Sequence, residues 1–230
     1  MKSLPRLLIG IVLGLGAIVG GVVILSRSLA SREPLYRGQP AEFWAGRLNP
    51  RDPGASNEAV GVLRDLILPQ LTRRILAETN DSTAKLWLVE HLDQLPGIRV
   101  DFIAADGRRV QAMQDLARFG PSARAPLPTL LTVLGSSDEL LIGPTADAVA
   151  KVQADPEVAV PALIHRLVTD DGRGRPDVVE ALAEYGTHSK AAVPVLVKLL
   201  ADRSSKEIVI AVPRALKQID PEAAARAGVK

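Results

Sequence analysis

Residues 117–134 read ARFGPSARAPLPTLLTVL: a turn, Phe119-Gly120-Pro121, followed by Pro128-x-Leu130-x-x-x-Leu134. The second half recurs as Pro161-x-Leu163-x-x-x-Leu167 and again as Pro194-x-Leu196-x-x-x-Leu200, at an offset of 33 residues both times. Eight residues before each proline the same offset links Gly120, Gln153 and Gly186. It also links Phe119, Val152 and Tyr185, and further back Leu116, Val149 and Leu182. A fixed period of this length is the signature of one supersecondary unit stacked on copies of itself, each burying a face it cannot bury alone.

The apolar spacing within each period is helical. It predicts helices from Arg108 to Phe119, from about Ala125 to Leu134, from near Pro144 to Val152, from Ala159 to Val168, from Pro176 to Tyr185, from Ala191 to Leu200 and from about Ser205 to Ile219. Asp138, Asp170 and Asp202 stand 32 residues apart and are expected to cap the helices that follow them. Ile208-Val209-Ile210 is β-branched and suits a strand by propensity, but its phase in the period assigns it to helix. Pro213 is expected to kink or restart that helix. The tail Pro221-Glu222-Ala223-Ala224-Ala225-Arg226 reads as a final cap.

Upstream the period loosens. Pro69-x-Leu71-x-x-x-Ile75 repeats the signature out of phase, and Val60, Leu63, Ile67 and Leu71 are expected on one inward stripe. Thr83 to Leu95 predicts a helix capped by Asp81 or Ser82 and stopped by Pro96-Gly97, with Leu86, Val89 and Leu92 or Leu95 inward. Residues 98–106 are an extended segment or a loop. From Ala41 to Leu48 a short helix places Trp44 and Leu48 on one face. It packs as an N-terminal cap on the first repeat or serves as a docking motif near a membrane.

Leu7 to Leu25, LLIGIVLGLGAIVGGVVIL, is nineteen residues without a charge or polar side chain. At 1.5 Å per residue such a helix reaches about 28 Å, close to the hydrocarbon thickness of a bilayer. Lys2 and Arg6 precede it, and Arg27 and Arg32 follow. The domain plan is therefore a tail over 1–6, a transmembrane anchor over 7–25, a linker with the short capping helix over 26–56, and the repeat domain over 57–230. The short N-terminus favours a single pass with its N-terminus cytoplasmic and the repeats outside the cytosol. Ser28-Leu29-Ala30 offers the rival reading, a signal peptide cut after Ala30. Gly10 and Gly14, and Gly16 and Gly20, are Gly-x-x-x-Gly pairs through which two such helices could self-associate.

The 230-residue chain carries a net charge of +2, but residues 1–40 hold five basic side chains against Glu33, which leaves −2 for residues 41–230. That remainder has no electrostatic footprint for nucleic acid. There is no cysteine, so thiolate metal sites, disulfides and a cysteine nucleophile are excluded. His91, His165 and His188 lack two-histidine metal spacing, so no metal is expected. Gly172-Arg173-Gly174-Arg175 lacks the strand and the Lys-Ser/Thr of a phosphate loop, Asp170-Asp171-Gly172 is too short for a calcium loop, and no Gly-x-Ser-x-Gly occurs. Neither catalysis nor a cofactor is expected.

Ala117-Arg118-Phe119-Gly120-Pro121-Ser122-Ala123 with Leu127-Pro128-x-Leu130, repeated as Ala183-Glu184-Tyr185-Gly186-x-x-Ser189-x-Ala191-x-Val193-Pro194-x-Leu196, resembles HEAT-repeat (armadillo-like) proteins of the shorter bacterial kind. The middle copy departs, with Gln153-Ala154-Asp155 in place of the Gly-Pro turn. Tyr36-x-Gly38-x-Pro40 followed by Trp44 also resembles a segment preceding the repeats in membrane-tethered members. The resemblance implies an all-α fold, a right-handed α-solenoid of helix pairs behind the membrane helix, whose curved surface binds a protein partner. It implies that the second helices line the binding side, where Asp147, Lys151, Glu180, Glu184, Arg214 and Lys217 are the polar positions. The alternatives are a structural element of a cell-envelope complex, a secreted repeat protein, and an enzyme of the HEAT-like class.

Overall fold

The computed structural model describes residues 19–48, 53–153, 155–169, 174–201 and 205–229. It is all-helical, with 76% helix and no strands among the described residues. In chain order the helices are α1 (19–29), α2 (Ala41–Arg47), α3 (Pro53–Val62), α4 (Leu68–Ala77), α5 (Thr83–Asp93), α6 (Ala105–Phe119), α7 (Leu127–Leu134), α8 (Glu139–Lys151), α9 (Pro156–Thr169), α10 (Arg175–Glu184), α11 (Val193–Leu199), α12 (Lys206–Ile219) and α13 (Pro221–Arg226). They fall into two compact units: Met1–Glu33 with Asn80–Ala105, and Pro34–Thr79 with Asp106–Lys230. The helical stretches expected upstream of the regular repeats are thus divided, α3 and α4 in one unit and α5 in the other.

In the smaller unit the end of α1 is tied to the chain after α5. Ser26 is buried, Ser31 N–H donates to the Asp101 carbonyl at 2.7 Å, and Ser31 Oγ accepts the Ile103 N–H at 2.9 Å. Ser82 caps α5 as expected, accepting the Lys85 N–H. Residues 98–104 form a loop pinned by carboxylates: Asp93 Oδ1 accepts the Val100 N–H at 3.2 Å and Asp81 Oδ2 the Ala105 N–H at 2.7 Å. The inward stripe expected for α5 is formed in part: Leu92 is buried and Val89 partly buried, while Leu86 and Leu95 are exposed. Among the described residues no helix is long and apolar enough to cross a membrane; most of the apolar run, residues 7–18, lies outside them.

The larger unit opens with a two-residue turn. Arg37 and Gly38 both take positive φ (50° and 77°), the mirror-image turn whose twist suits a tight reversal, and Tyr36 pairs with Gln39 across it. The reversal brings the Tyr36 carbonyl to Trp44 Nε1, which donates to it at 2.8 Å. Tyr36 and Trp44 are both buried, and α2 packs on α3.

α3 and α4 are one continuous helix joined by a π-helical turn, Leu63–Ile67. Pro69 explains the turn: it offers no N–H to the carbonyl four residues back, and its ring crowds that carbonyl, so the chain widens to accommodate it. The wider turn also resets the phase. Ala59, Leu63, Ile67, Leu71 and Ile75 are all buried. Steps of four residues drift about 40° each in a regular α-helix, and the π turn winds the stripe back. Val60 is accordingly exposed, against expectation, while Ala59 and Val62 point inward.

From α6 onward the 33-residue period is visible in the backbone. Gly120 and Gly186 have φ of 53° and 54°, and Gln153, at the same position of the middle copy, has φ of 46°. Each copy therefore makes the same left-handed turn, with glycine twice and glutamine once. Leu116, Val149 and Leu182 are buried, as are Phe119, Val152 and Tyr185, and so are Leu130, Leu163, Leu196, Leu134 and Leu167. Leu200 is partly buried. α7 packs on α8, α9 on α10 and α11 on α12, and α10 lies between α8 and α12.

Several boundaries differ from the sequence reading. α8 starts at Glu139, and Pro144 sits inside it; α9 likewise contains Pro161, and α12 runs through Pro213 without a restart. Ile208-Val209-Ile210 is helical. Asp138 precedes α8 but makes no side-chain cap; its carboxylate accepts from Arg109 at 3.0 Å instead, and Arg109 also donates to the Ile75 carbonyl. Ser205 caps α12, accepting the Ile208 N–H at 3.1 Å. Asp170 and Asp202 lie outside the described residues.

Candidate binding face on α8, α10 and α12

The three packed helices α8, α10 and α12 meet through small residues. Ala146, Ala148, Val149 and Ala150 of α8 are buried, as are Val178, Val179, Ala181, Leu182 and Ala183 of α10. Gly143 and Gly174 lie where α8 and α10 approach closely. A Cβ on Gly143 would stand 2.7 Å from Asp177 Oδ2, and one on Gly174 only 2.6 Å from Ile142 Cγ2. Helices this close bring the polar residues of their open sides into register. Asp147 and Lys151, like Glu180 and Glu184, are four apart and so share one helix face.

Five of the six polar positions expected on the second helices come together here. Lys151 Nζ donates to Glu184 Oε1 at 2.6 Å, and Arg214 pairs with Glu180. The first pair is one period apart in sequence, so equivalent positions of neighbouring copies stand side by side with opposite charge. Asp147 lies beside both pairs: partial burial pushes its carboxyl up, Lys151 pulls it down, and Glu184 and Glu180 push it further up. The hydrogen bond to Glu184 holds the Lys151 ammonium above its ordinary value. Lys217 is exposed on α12 and joins neither ion pair.

The sequence reading missed two members. Asp177, three residues before Glu180, is raised by partial burial first and then by Glu180 and Asp147. Gln218 helps Glu180, Ala183, Glu184, Ala211 and Arg214 line a hollow of about 200 Å³ between α10 and α12. The i, i+3 spacing of Asp177 and Glu180 was available in the sequence. Gln218 carried no such signal, because only the α10–α12 packing brings it in. The face holds four carboxylates, Asp147, Asp177, Glu180 and Glu184, with Lys151 and Arg214 set among them. Chemically it can exchange its internal ion pairs for pairs with cationic groups brought from outside. Its two salt bridges are about half exposed, which puts each at roughly 0–1 kcal/mol.

Of the glycines expected in membrane-helix packing, Gly10, Gly14 and Gly16 lie outside the described residues, and Gly20 is exposed on α1 with open space around it. His91 stacks on Trp87, and His165 and His188 are exposed on the larger unit. Compared with known proteins, the chain matches no family model and no curated sequence.

Proposed function

We propose that the chain is a HEAT-like α-solenoid tethered by residues 7–25 to a membrane, with the repeats outside the cytosol, and that it acts as a non-catalytic scaffold for another protein. The observation that carries this reading is the left-handed turn recurring at Gly120, Gln153 and Gly186, joined to the succession of α8, α10 and α12. A series of like units is what such scaffolds are made of. The binding face is the row on α8, α10 and α12, and its excess of carboxylates suits a partner segment bearing lysine or arginine. An uncut N-terminus is supported by the helix that runs to residue 29 and by the bonds of Ser31 to Asp101 and Ile103, since proteases favour extended, exposed chain.

Photo-crosslinking tests this. A photoreactive residue at Gln218, in the full chain in its native membrane, is expected to capture one protein. Glu180→Lys with Glu184→Lys is expected to abolish the capture without loss of helicity. A capture pattern unchanged by the charge reversal would instead support a structural role, in which the face only staples neighbouring units.

A further inference from the structure

The smaller unit leaves large apolar side chains in solvent: Trp87 is 56% exposed, Leu86 44% and Leu95 42%. The indole of Trp87 is held in place by His91, stacked at 4.1 Å between ring centroids, with His91 Nδ1 2.8 Å from the Trp87 carbonyl. Trp87 thus packs on His91 with more than half of its surface open to solvent. The same unit contains the end of α1, the continuation of the apolar run Leu7–Leu25. From Leu25 to Ala30, whose N–H still bonds the Ser26 carbonyl, is about 7.5 Å along the helix, and Ser31 adds at most about 3.5 Å. The polar layer on each side of a bilayer is about 5–7 Å deep. Ser31 is hydrogen-bonded to Asp101 and Ile103, and Ser26, Arg27 and Ala30 share a hollow of about 270 Å³ with Gly97, Ile98, Arg99 and Asp101. An apolar run ending in the hydrocarbon therefore carries residues 97–103, into which α5 leads, at or just outside the headgroup layer.

We propose that α5 docks on the bilayer surface, with Trp87, Leu86 and Leu95 seated at the boundary between headgroups and acyl chains. Tryptophan favours that depth, where its ring is in apolar surroundings and its N–H is wet. Arg27, Arg32 and Arg99 are exposed in the same unit and can meet lipid phosphates; Glu90, Asp93 and Asp101 face solvent there too and limit how deep the unit sinks. The occupant facing these exposed apolar side chains is thus the lipid surface to which the chain is already attached. The inference rests on the anchor reading given above.

The test uses the full chain in vesicles of phosphatidylcholine and phosphatidylglycerol, with lipids brominated near the headgroup end of the acyl chain as quenchers. Trp87 is read as the difference between the unaltered chain and Trp87→Phe, with the buried Trp44 left as the internal control. The expected result is flotation with the vesicles after an alkaline wash, loss of most Trp87 emission to the brominated lipid, and protection of Trp87 from iodide. A chain that floats but whose Trp87 is quenched by iodide and not by lipid overturns the docking alone. Protection from iodide without lipid quenching also overturns it, and assigns the patch to a second copy or another protein. A chain that does not float overturns the anchor, and the docking with it.

Discussion

At the scale of single residues the 33-residue period makes a sharp claim: three positions share one backbone conformation although one of them is not glycine. Left-handed φ costs an L-residue about 1–2 kcal/mol and glycine almost nothing. Gln153→Gly is therefore expected to stabilise the chain by about 1 kcal/mol and Gly186→Ala to destabilise it by a similar amount, both read from urea unfolding. Opposite signs from two substitutions at equivalent positions would be hard to obtain any other way. Asp177 supplies a pH-dependent prediction. Its folded pKa is raised, so ionising it costs the fold; the cost is absent where both states are protonated and grows as pH rises through the folded value. Asp177→Asn should raise the melting temperature at neutral pH, and the gain should vanish near pH 3, at or below about the ordinary carboxylate range. The glycine positions and the buried leucines were legible in the sequence because the period repeats them. The role of Asp138 was not: a carboxylate before a helix reads as a cap, and only the fold brings Arg109 close enough to take it.

At the scale of elements, hydrophobic spacing located the helices and prolines misled at three places. Pro144 sits inside a helix that begins at Glu139, α12 runs through Pro213 without a restart, and Pro69 widens α3–α4 into a π turn and shifts which residues face inward. A periodicity count that assumes 3.6 residues per turn cannot foresee that, so Val60 was placed on the wrong face. In α5 the spacing of Leu86, Val89 and Leu92 is that of a buried stripe, but Leu92 is buried and Leu86 exposed. Two element-level outcomes are testable. Ser205→Ala removes the cap of α12 and should cost about 1 kcal/mol. A double-mutant cycle on Lys151 and Glu184, each to alanine, should give a coupling below about 1 kcal/mol that shrinks as salt is raised, because both side chains are half exposed. The ion pairs of the face were half legible: the sequence marked the charged positions, and the packing of α8, α10 and α12 decided which of them meet.

At the scale of the whole molecule, the proposed solenoid requires that the chain after α6 be stabilised as a series, each helix pair covering the next. Stability in such an array is roughly a sum over units and their interfaces, so removing one whole unit shortens it without destroying the fold, whereas removing a different length breaks the register. The decisive measurement is urea unfolding of the full chain lacking residues 154–186, one complete period, beside a control lacking residues 154–180. A stacked series is expected to keep a cooperative helical transition at a lower midpoint in the first and to lose it in the second. Loss of the transition in both deletions would contradict the stacked-unit reading and point to a single closed core.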